Sequence, residues 1–299
     1  MVPFWSQTAI LGIGGRLPNL QSVLVEEGVY LSDMHFIFEA PCPALNTVYL
    51  RYTEGDDPIM DNIPWQQITD LRLDPHPHAR SPVKLVSMCP TLKSFYLNYG
   101  IEILRDWDFT PFYGHIMSNI ECLTVDIPPE PELRSAWTPL CDQTTLPQLS
   151  SLTILSNHVS VSHFRSEITN ASPLLNCINR SSCPITSLTL HYRNFSNEET
   201  LRLLNLTPKL ENLVVWECPV GDTSTADRVK ARTVGFLKFL GVADETPHIL
   251  PRLRDFTLAI KASDLDVDVL EKTIATRWIP DSQSGIDCIR SITIEFLPD

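Results

Sequence analysis

One short phrase recurs ten times along this chain and restricts its fold more than any other feature. It reads apolar-x-x-apolar-x-apolar, and its first apolar residue, the anchor, falls at Leu20, Leu45, Ile68, Leu92, Ile120, Leu149, Ile185, Leu210, Leu253 and Ile289. Six copies read LPNLQSVLV, CPALNTVYL, CPTLKSFYL, LPQLSSLTI, TPKLENLVV and LPRLRDFTL. Proline stands two residues ahead of the anchor in six of the ten, at Pro18, Pro43, Pro90, Pro147, Pro208 and Pro251. With 24 prolines in 299 residues, chance would place fewer than one there. Because the phrase is defined by its apolar positions alone, these prolines test it independently. They also account for a chain with 24 Pro against 11 Gly, the reverse of ordinary usage. A proline at this point is expected to stop the incoming helix and to stand just before the residues that need their N–H for a sheet ladder.

The anchors lie 25, 23, 24, 28, 29, 36, 25, 43 and 36 residues apart. A period of this size marks a stacked repeat architecture, and the longer spacings read as insertions between units. Within each unit the residues three and five after the anchor are apolar and the one between faces the other way, which predicts a short strand. Helical patterns lie between the strands. Ser196 and Glu199 form a capping box ahead of Leu201 and Leu204. Val229, Phe236, Leu237 and Leu240 share a helical face within 225–240, with Gly241 placed to end it. Ser263 with Asp266 is expected to open a helix in which Leu270, Ile274 and Trp278 recur every four residues. A unit of one strand and one helix or turn cannot bury both faces alone, so the units are expected to stack. The expected fold is an α/β solenoid: one curved parallel sheet of about ten strands, with helices and loops on the convex side. Such a stack has no internal boundary, so 17–299 is expected to be one domain, preceded by a capping segment at 1–16 that carries Val2, Phe4, Trp5, Ile10, Leu11 and Ile13.

These units resemble leucine-rich repeats, and their irregular spacing is similar to the repeat region of fungal F-box/leucine-rich-repeat proteins. IPWQQITDLRL (63–73) and LPRLRDFTL (250–258) resemble repeat openings of that family, and VLEKTIATRW (269–278) a helix near its end. The resemblance spans about residues 17–297. It implies a non-catalytic interaction module, the substrate-recognising part of a ubiquitin-ligase adaptor, cytoplasmic or nuclear, with a protein bound on the concave face. No F-box pattern precedes the first repeat in this sequence, so a Skp-type linker and cullin are expected as partners only if an F-box is supplied elsewhere. The alternative is a stand-alone repeat scaffold. The Asn or Cys expected eight residues after the anchor occurs only as Asn157 and Cys218, so the turns after the strands are expected to be satisfied another way.

Composition narrows the function classes. A formal charge of −13 speaks against nucleic acid and anionic lipid as partners. No run of 18 apolar residues suggests a membrane span, and the N-terminus lacks the basic start of a signal peptide. Sequons at Asn170, Asn179, Asn194 and Asn205 keep a secreted recognition protein as an alternative, although eight cysteines in a core-rich chain need not form a disulfide framework. Cys42, Cys89 and Cys183 precede prolines at the entry to the strand and are expected to be buried packing residues.

No cofactor or metal is expected. Asp74-Pro75-His76-Pro77-His78 could present two imidazoles and a carboxylate to a metal, and an enzyme built on His76 and His78 is the remaining alternative; a stiff polar loop is the plainer reading. Asp264, Asp266 and Asp268 alternate like a calcium loop, but Val269 and Ala275 occupy its Gly and Glu places, so an acidic helix start is expected. Gly12-Ile13-Gly14-Gly15 lacks the residues that complete a phosphate loop, and neither G-x-S-x-G nor H-E-x-x-H occurs.

The remaining candidate is a surface. Residues two, four and six after each anchor are expected to face outward from the sheet, along an arc of roughly 45 Å for ten strands. Small hydroxyl residues dominate them. Against that background Tyr49, Arg51, Arg72, Tyr96, Asn98, His191 and Trp216 are the candidate protein-binding residues, because aromatic and Arg side chains are the usual hot spots. Tyr49 and Tyr96 are expected about 10 Å apart with Arg72 between them.

Overall fold

The computed structural model describes residues 17–25, 42–51, 63–74, 82–98, 114–126, 138–155, 171–191, 195–217, 226–241, 250–278 and 287–297. Every one of the ten phrases forms a strand that begins two residues after its anchor. These are β1 (Ser22–Val25), β2 (Thr47–Arg51), β3 (Asp70–Asp74), β4 (Ser94–Asn98), β6 (Cys122–Asp126), β8 (Ser151–Leu155), β9 (Ser187–His191), β10 (Asn212–Trp216), β11 (Asp255–Ile260) and β12 (Ser291–Phe296). All are parallel and they pair in chain order, so each unit touches the one before and the one after. The result is a solenoid-like α/β fold with a ten-stranded parallel sheet. Two further two-residue strands, β5 (Ile116–Met117) and β7 (Thr144–Thr145), pair with each other outside it; nothing in the repeat pattern announces them.

Period two decides which face is dry. Residues three and five after the anchor are buried in nine strands, from Val23 and Val25 through Phe256 and Leu258. The tenth strand, β12, leaves Ile292 and Ile294 only half-buried and Phe296 exposed. The anchors join this core, with Leu45 through Ile289 buried and Leu20 packed against it.

The prolines have a more specific role than stopping a helix. In seven units the anchor N–H donates to the carbonyl three residues before it, at 3.0–3.2 Å, as from Leu45 to Cys42, Leu92 to Cys89 and Leu210 to Thr207. That bond closes a four-residue turn whose second position is the recurrent proline in six of the seven. The pyrrolidine ring holds φ near −65°, the value that position requires, and the turn needs no N–H there. In the seventh, Trp65–Gln67 forms a 3-10 turn with Gln66 in that place.

A second backbone device then locks the units together. The carbonyl one residue after each anchor accepts from two consecutive amides of the next unit. Gln21 takes Asn46 and Thr47, Asn46 takes Thr69 and Asp70, and the series runs on to Arg254, which takes Arg290 and Ser291. This ladder needs no particular side chain, which is why it crosses all nine interfaces regardless of insertions. Asn157 and Cys218, named above for the turns after the strands, lie outside the described residues.

On the other side of the core lie α1 (Pro82–Met88), α2 (Thr138–Gln143), α3 (Ser172–Ser181), α4 (Asn197–Asn205), α5 (Ala226–Leu240) and α6 (Val267–Trp278). The capping box of α4 is present. Ser196 Oγ accepts from the Glu199 amide at 3.1 Å, and Glu199 Oε2 accepts from the Ser196 amide at 3.0 Å. Its buried residues are Thr200, Leu203 and Leu204, whereas Leu201 is half-buried, so the packed face is turned slightly from the expected one. In α5, Phe236, Leu237 and Leu240 are buried and the Gly241 amide closes the last turn on Leu237. For α6 two expectations need correction. Ser263 lies in a separate 3-10 turn, Ala262–Asp264, and the capping residue is Asp266, whose Oδ1 accepts from the Val269 amide at 3.1 Å. Leu270 and Ile274 are half-buried and Trp278 is exposed; Thr273 and Arg277 are the residues turned inward. The inward face differs from the apolar one expected because Arg277 meets its partners there as a donor.

The segment 1–16, including Gly12-Ile13-Gly14-Gly15, lies outside the described residues, as do His76, His78, Asn170 and Asn194. Asn179 and Asn205 sit within α3 and α4. Among the described residues, no helix is long and apolar enough to cross a membrane.

Candidate functional site

The parallel register places the first group of candidates in one row on the open face of the sheet. Tyr49 on β2 pairs with Arg72 on β3, and Arg72 pairs with Tyr96 on β4. Adjacent strands are about 4.8 Å apart, so the two tyrosines stand about 10 Å apart with Arg72 between them. Arg72 is exposed, and both tyrosines are half-buried. The next row toward the strand ends holds Arg51, Asp74, Asn98 and Asp126, with Arg51 paired to Asp74 and Asn98 to Asp126. Arg51 is exposed and Asn98 half-buried.

His191 and Trp216 form a separate group. They pair across β9 and β10, and their rings stack with centroids 5.8 Å apart and planes 22° from parallel. Strands β6 and β8 lie between this pair and Tyr96–Asn98. The seven candidates therefore make two patches, separated by about three strand spacings, or roughly 14 Å.

Two outward-reading positions behave otherwise. Asp74 and Asp126, six residues after their anchors, are 6% and 1% exposed. The Tyr49 hydroxyl donates to Asp74 Oδ2, while Asp74 Oδ1 and Asn98 Oδ1 are buried and accept no hydrogen bond. Two buried acceptor oxygens at the ends of β3 and β4 thus lack a donor. Burial of a carboxylate with an unmet oxygen costs about 1–3 kcal/mol.

This environment holds the two phenols in their neutral form. Burial, the hydrogen bond to Asp74 and the charge of Asp74 push Tyr49 up to about 12, against the lowering effect of Arg51. Burial, then the charges of Asp126 and Asp74, push Tyr96 up to about 12, against Arg72. The folded state therefore binds these phenolic protons more tightly than the unfolded chain does. Their contribution to stability is complete below about pH 10 and is lost as pH rises through about 12. A spectrophotometric titration is expected to show Tyr49 and Tyr96 ionising late. Tyr49→Phe and Tyr96→Phe should each remove one late step; a titration curve unchanged by both substitutions would contradict the assignment.

Of the Asp74–His78 segment only Asp74 is described, with its Oδ2 accepting from the Tyr49 hydroxyl; His76 and His78 lie outside the described residues. Asp266 caps α6 and Asp264 is buried in the preceding 3-10 turn, so the alternating aspartates serve the helix start. Among the described residues no cluster of three His, Cys, Asp or Glu could hold a metal. The seven described cysteines are free thiols, and Cys42, Cys89 and Cys183 are buried, as packing residues should be.

Two arrangements escaped sequence reasoning. Arg277 is almost wholly buried, and Cys141 on α2 faces Cys177 on α3. The cysteine pair had a legible signal, since each stands eight residues ahead of its anchor, Leu149 and Ile185. Equal phase in stacked units puts side chains side by side. Compared with known proteins, the chain matches no family model and no curated sequence.

Proposed function

We propose that this chain is a non-catalytic protein-interaction module of leucine-rich-repeat type, with a curved sheet whose open, concave face receives a protein partner. The observation that carries the reading is the Tyr49–Arg72–Tyr96 row, two half-buried aromatics flanking an exposed Arg in register on three neighbouring strands. Side chains of these types supply most of the affinity where they occur in an interface, and here their ring stems are already ordered by the sheet. Arg51 extends the patch on β2, and the His191–Trp216 stack offers a second contact point. By the resemblance, the partner is a substrate of a cytoplasmic or nuclear ubiquitin ligase, and an F-box supplied elsewhere connects it to a Skp-type linker and cullin.

The test is affinity purification with mass spectrometry, comparing wild type with Arg72→Ala/Tyr96→Ala and with Lys209→Ala, an exposed turn residue, as control. The double change is expected to lower partner affinity by at least about 100-fold while leaving the fold intact. Proteins captured by wild type and by the control but lost from the double variant support the reading. Cullin and Skp-type subunits recovered with wild type, and retained by the double variant, support the ligase assignment. Identical recovery with all three proteins overturns the patch.

A further inference from the structure

The seam between α2 and α3 is the most extensive helix–helix contact among the described residues, and it carries sulfur on both sides. Cys141 and Cys177 meet across this seam in the lining of one cavity, and each is 3% exposed. Both line a small cavity under the sheet, walled otherwise mainly by apolar residues such as Leu123, Leu140, Leu149 and Leu174. It has room for about one water-sized molecule.

The surroundings of the two thiols differ. Cys177 Sγ lies 3.5 Å from the Thr144 carbonyl and 4.0 Å from Ser181 Oγ. Arg180, one turn further along α3, places Nη2 at 2.5 Å from both the Cys141 and Thr144 carbonyls, which fixes a positive charge beside the pair. The neighbouring Cys141 thiol, then Ser181 and the Arg180 charge, bring Cys177 down to about 7 against the effect of burial. The neighbouring Cys177, then burial, raise Cys141. The third sulfur of the cavity, Cys183, is pushed by burial up to about 11 and stays a thiol.

We propose that Cys141 and Cys177 form an oxidisable dithiol that closes to a disulfide across the α2–α3 seam when hydrogen peroxide reaches the pair. The Cys177 thiolate attacks one peroxide oxygen; the O–O bond breaks and hydroxide leaves, taking up the proton that Cys177 released. The Cys141 sulfur then attacks the Cys177 sulfenic sulfur. The S–O bond breaks, water leaves with the Cys141 proton, and the S–S bond forms. Two thiols lose two electrons and hydrogen peroxide becomes two waters. The bond ties consecutive units through a loop of 36 residues, so it acts on the stack and not on the open face. This proposal stands independently of the interaction reading above.

The experiment exposes the folded chain to hydrogen peroxide, then alkylates it in denaturant and maps the peptides. Of the eight cysteines, two are expected to escape alkylation, joined as a Cys141–Cys177 cross-link that dithiothreitol reverses. In Cys141→Ala, dimedone is expected to trap a sulfenic acid at Cys177; in Cys177→Ala, no adduct is expected at Cys141. Full alkylation of the wild type after peroxide overturns the proposal. So does a cross-link confined to the exposed Cys122 and Cys288, or one that forms only after denaturation. Because the wild-type arm needs no substitution, it decides the matter even if a variant fails to fold.

Discussion

Arg277→Met should cost this protein about 3 kcal/mol of stability, read as a lowered urea midpoint at unchanged slope. Arg277 is 1% exposed, on the inward face of α6. Its Nε donates to the Leu240 carbonyl at 2.7 Å and its Nη1 to the Leu250 carbonyl at 2.9 Å. Leu240 is the last residue of α5, where carbonyls have no partner within the helix. Leu250 opens the turn into β11 with a φ of 54°, a left-handed conformation that a branched residue adopts only when held. One guanidinium thus joins the end of α5, the turn before β11 and α6. Burial lowers Arg277 to about 10, which still leaves it charged at neutral pH. Replacing a whole buried ion pair by apolar residues is often harmless, but two acceptors of Arg277 are backbone carbonyls, which stay behind unmet when the guanidinium is removed. Arg277→Lys should fare nearly as badly, because a single ammonium cannot reproduce the planar fork. A midpoint within about 0.5 kcal/mol of wild type for Arg277→Met would mean that the two carbonyls find other donors.

The second large effect contrasts neighbours on one strand. Phe95 is 1% exposed and pairs in register with Leu71 and Leu123, so Phe95→Ala should cost about 3–5 kcal/mol through lost burial and the cavity left behind. Tyr96, the next residue, faces the open side, and Tyr96→Ala should cost about 1 kcal/mol. Because each unit touches only its neighbours, Phe95→Ala should also broaden the unfolding transition, as damage in one unit uncouples those on either side. Chemical denaturation of both variants checks the pair. Comparable losses would mean that the open face carries as much of the packing as the core face.

These contrasts reflect what could be read in advance. The row Tyr49–Arg72–Tyr96 was legible because register in a repeat follows from the anchors alone: equal offsets become neighbours once strands pair in chain order. The burial of Asp74 and Asp126 was not, since alternation says which way a residue points but not what surrounds its tip. The separation of His191–Trp216 from the tyrosines follows from the order of the phrases, since two strands, β6 and β8, lie between them. On the helical side the reading was weaker. The inward face of α6 is polar, with Thr273 donating to the Leu237 carbonyl at 2.9 Å and Arg277 to two others, so a search for apolar periodicity turned it the wrong way.

By itself the sequence determined the strands, their order and the face each residue takes, because a period-two alternation tied to a recurrent anchor leaves one register that buries every apolar position. It marked the turns as well, through prolines whose fixed φ suits the second position of a four-residue turn. Only the tertiary structure decided how the helices meet. Spacings of 23 to 43 residues carry elements of different length between similar strands, so contacts such as Cys141 with Cys177, or Arg277 with Leu240 and Leu250, depend on how each insertion packs back on the sheet. Those packings are set by carbonyls, thiols and a guanidinium seeking partners in a space without water, and such partners are chosen by distance in the folded stack, which local sequence pattern does not encode.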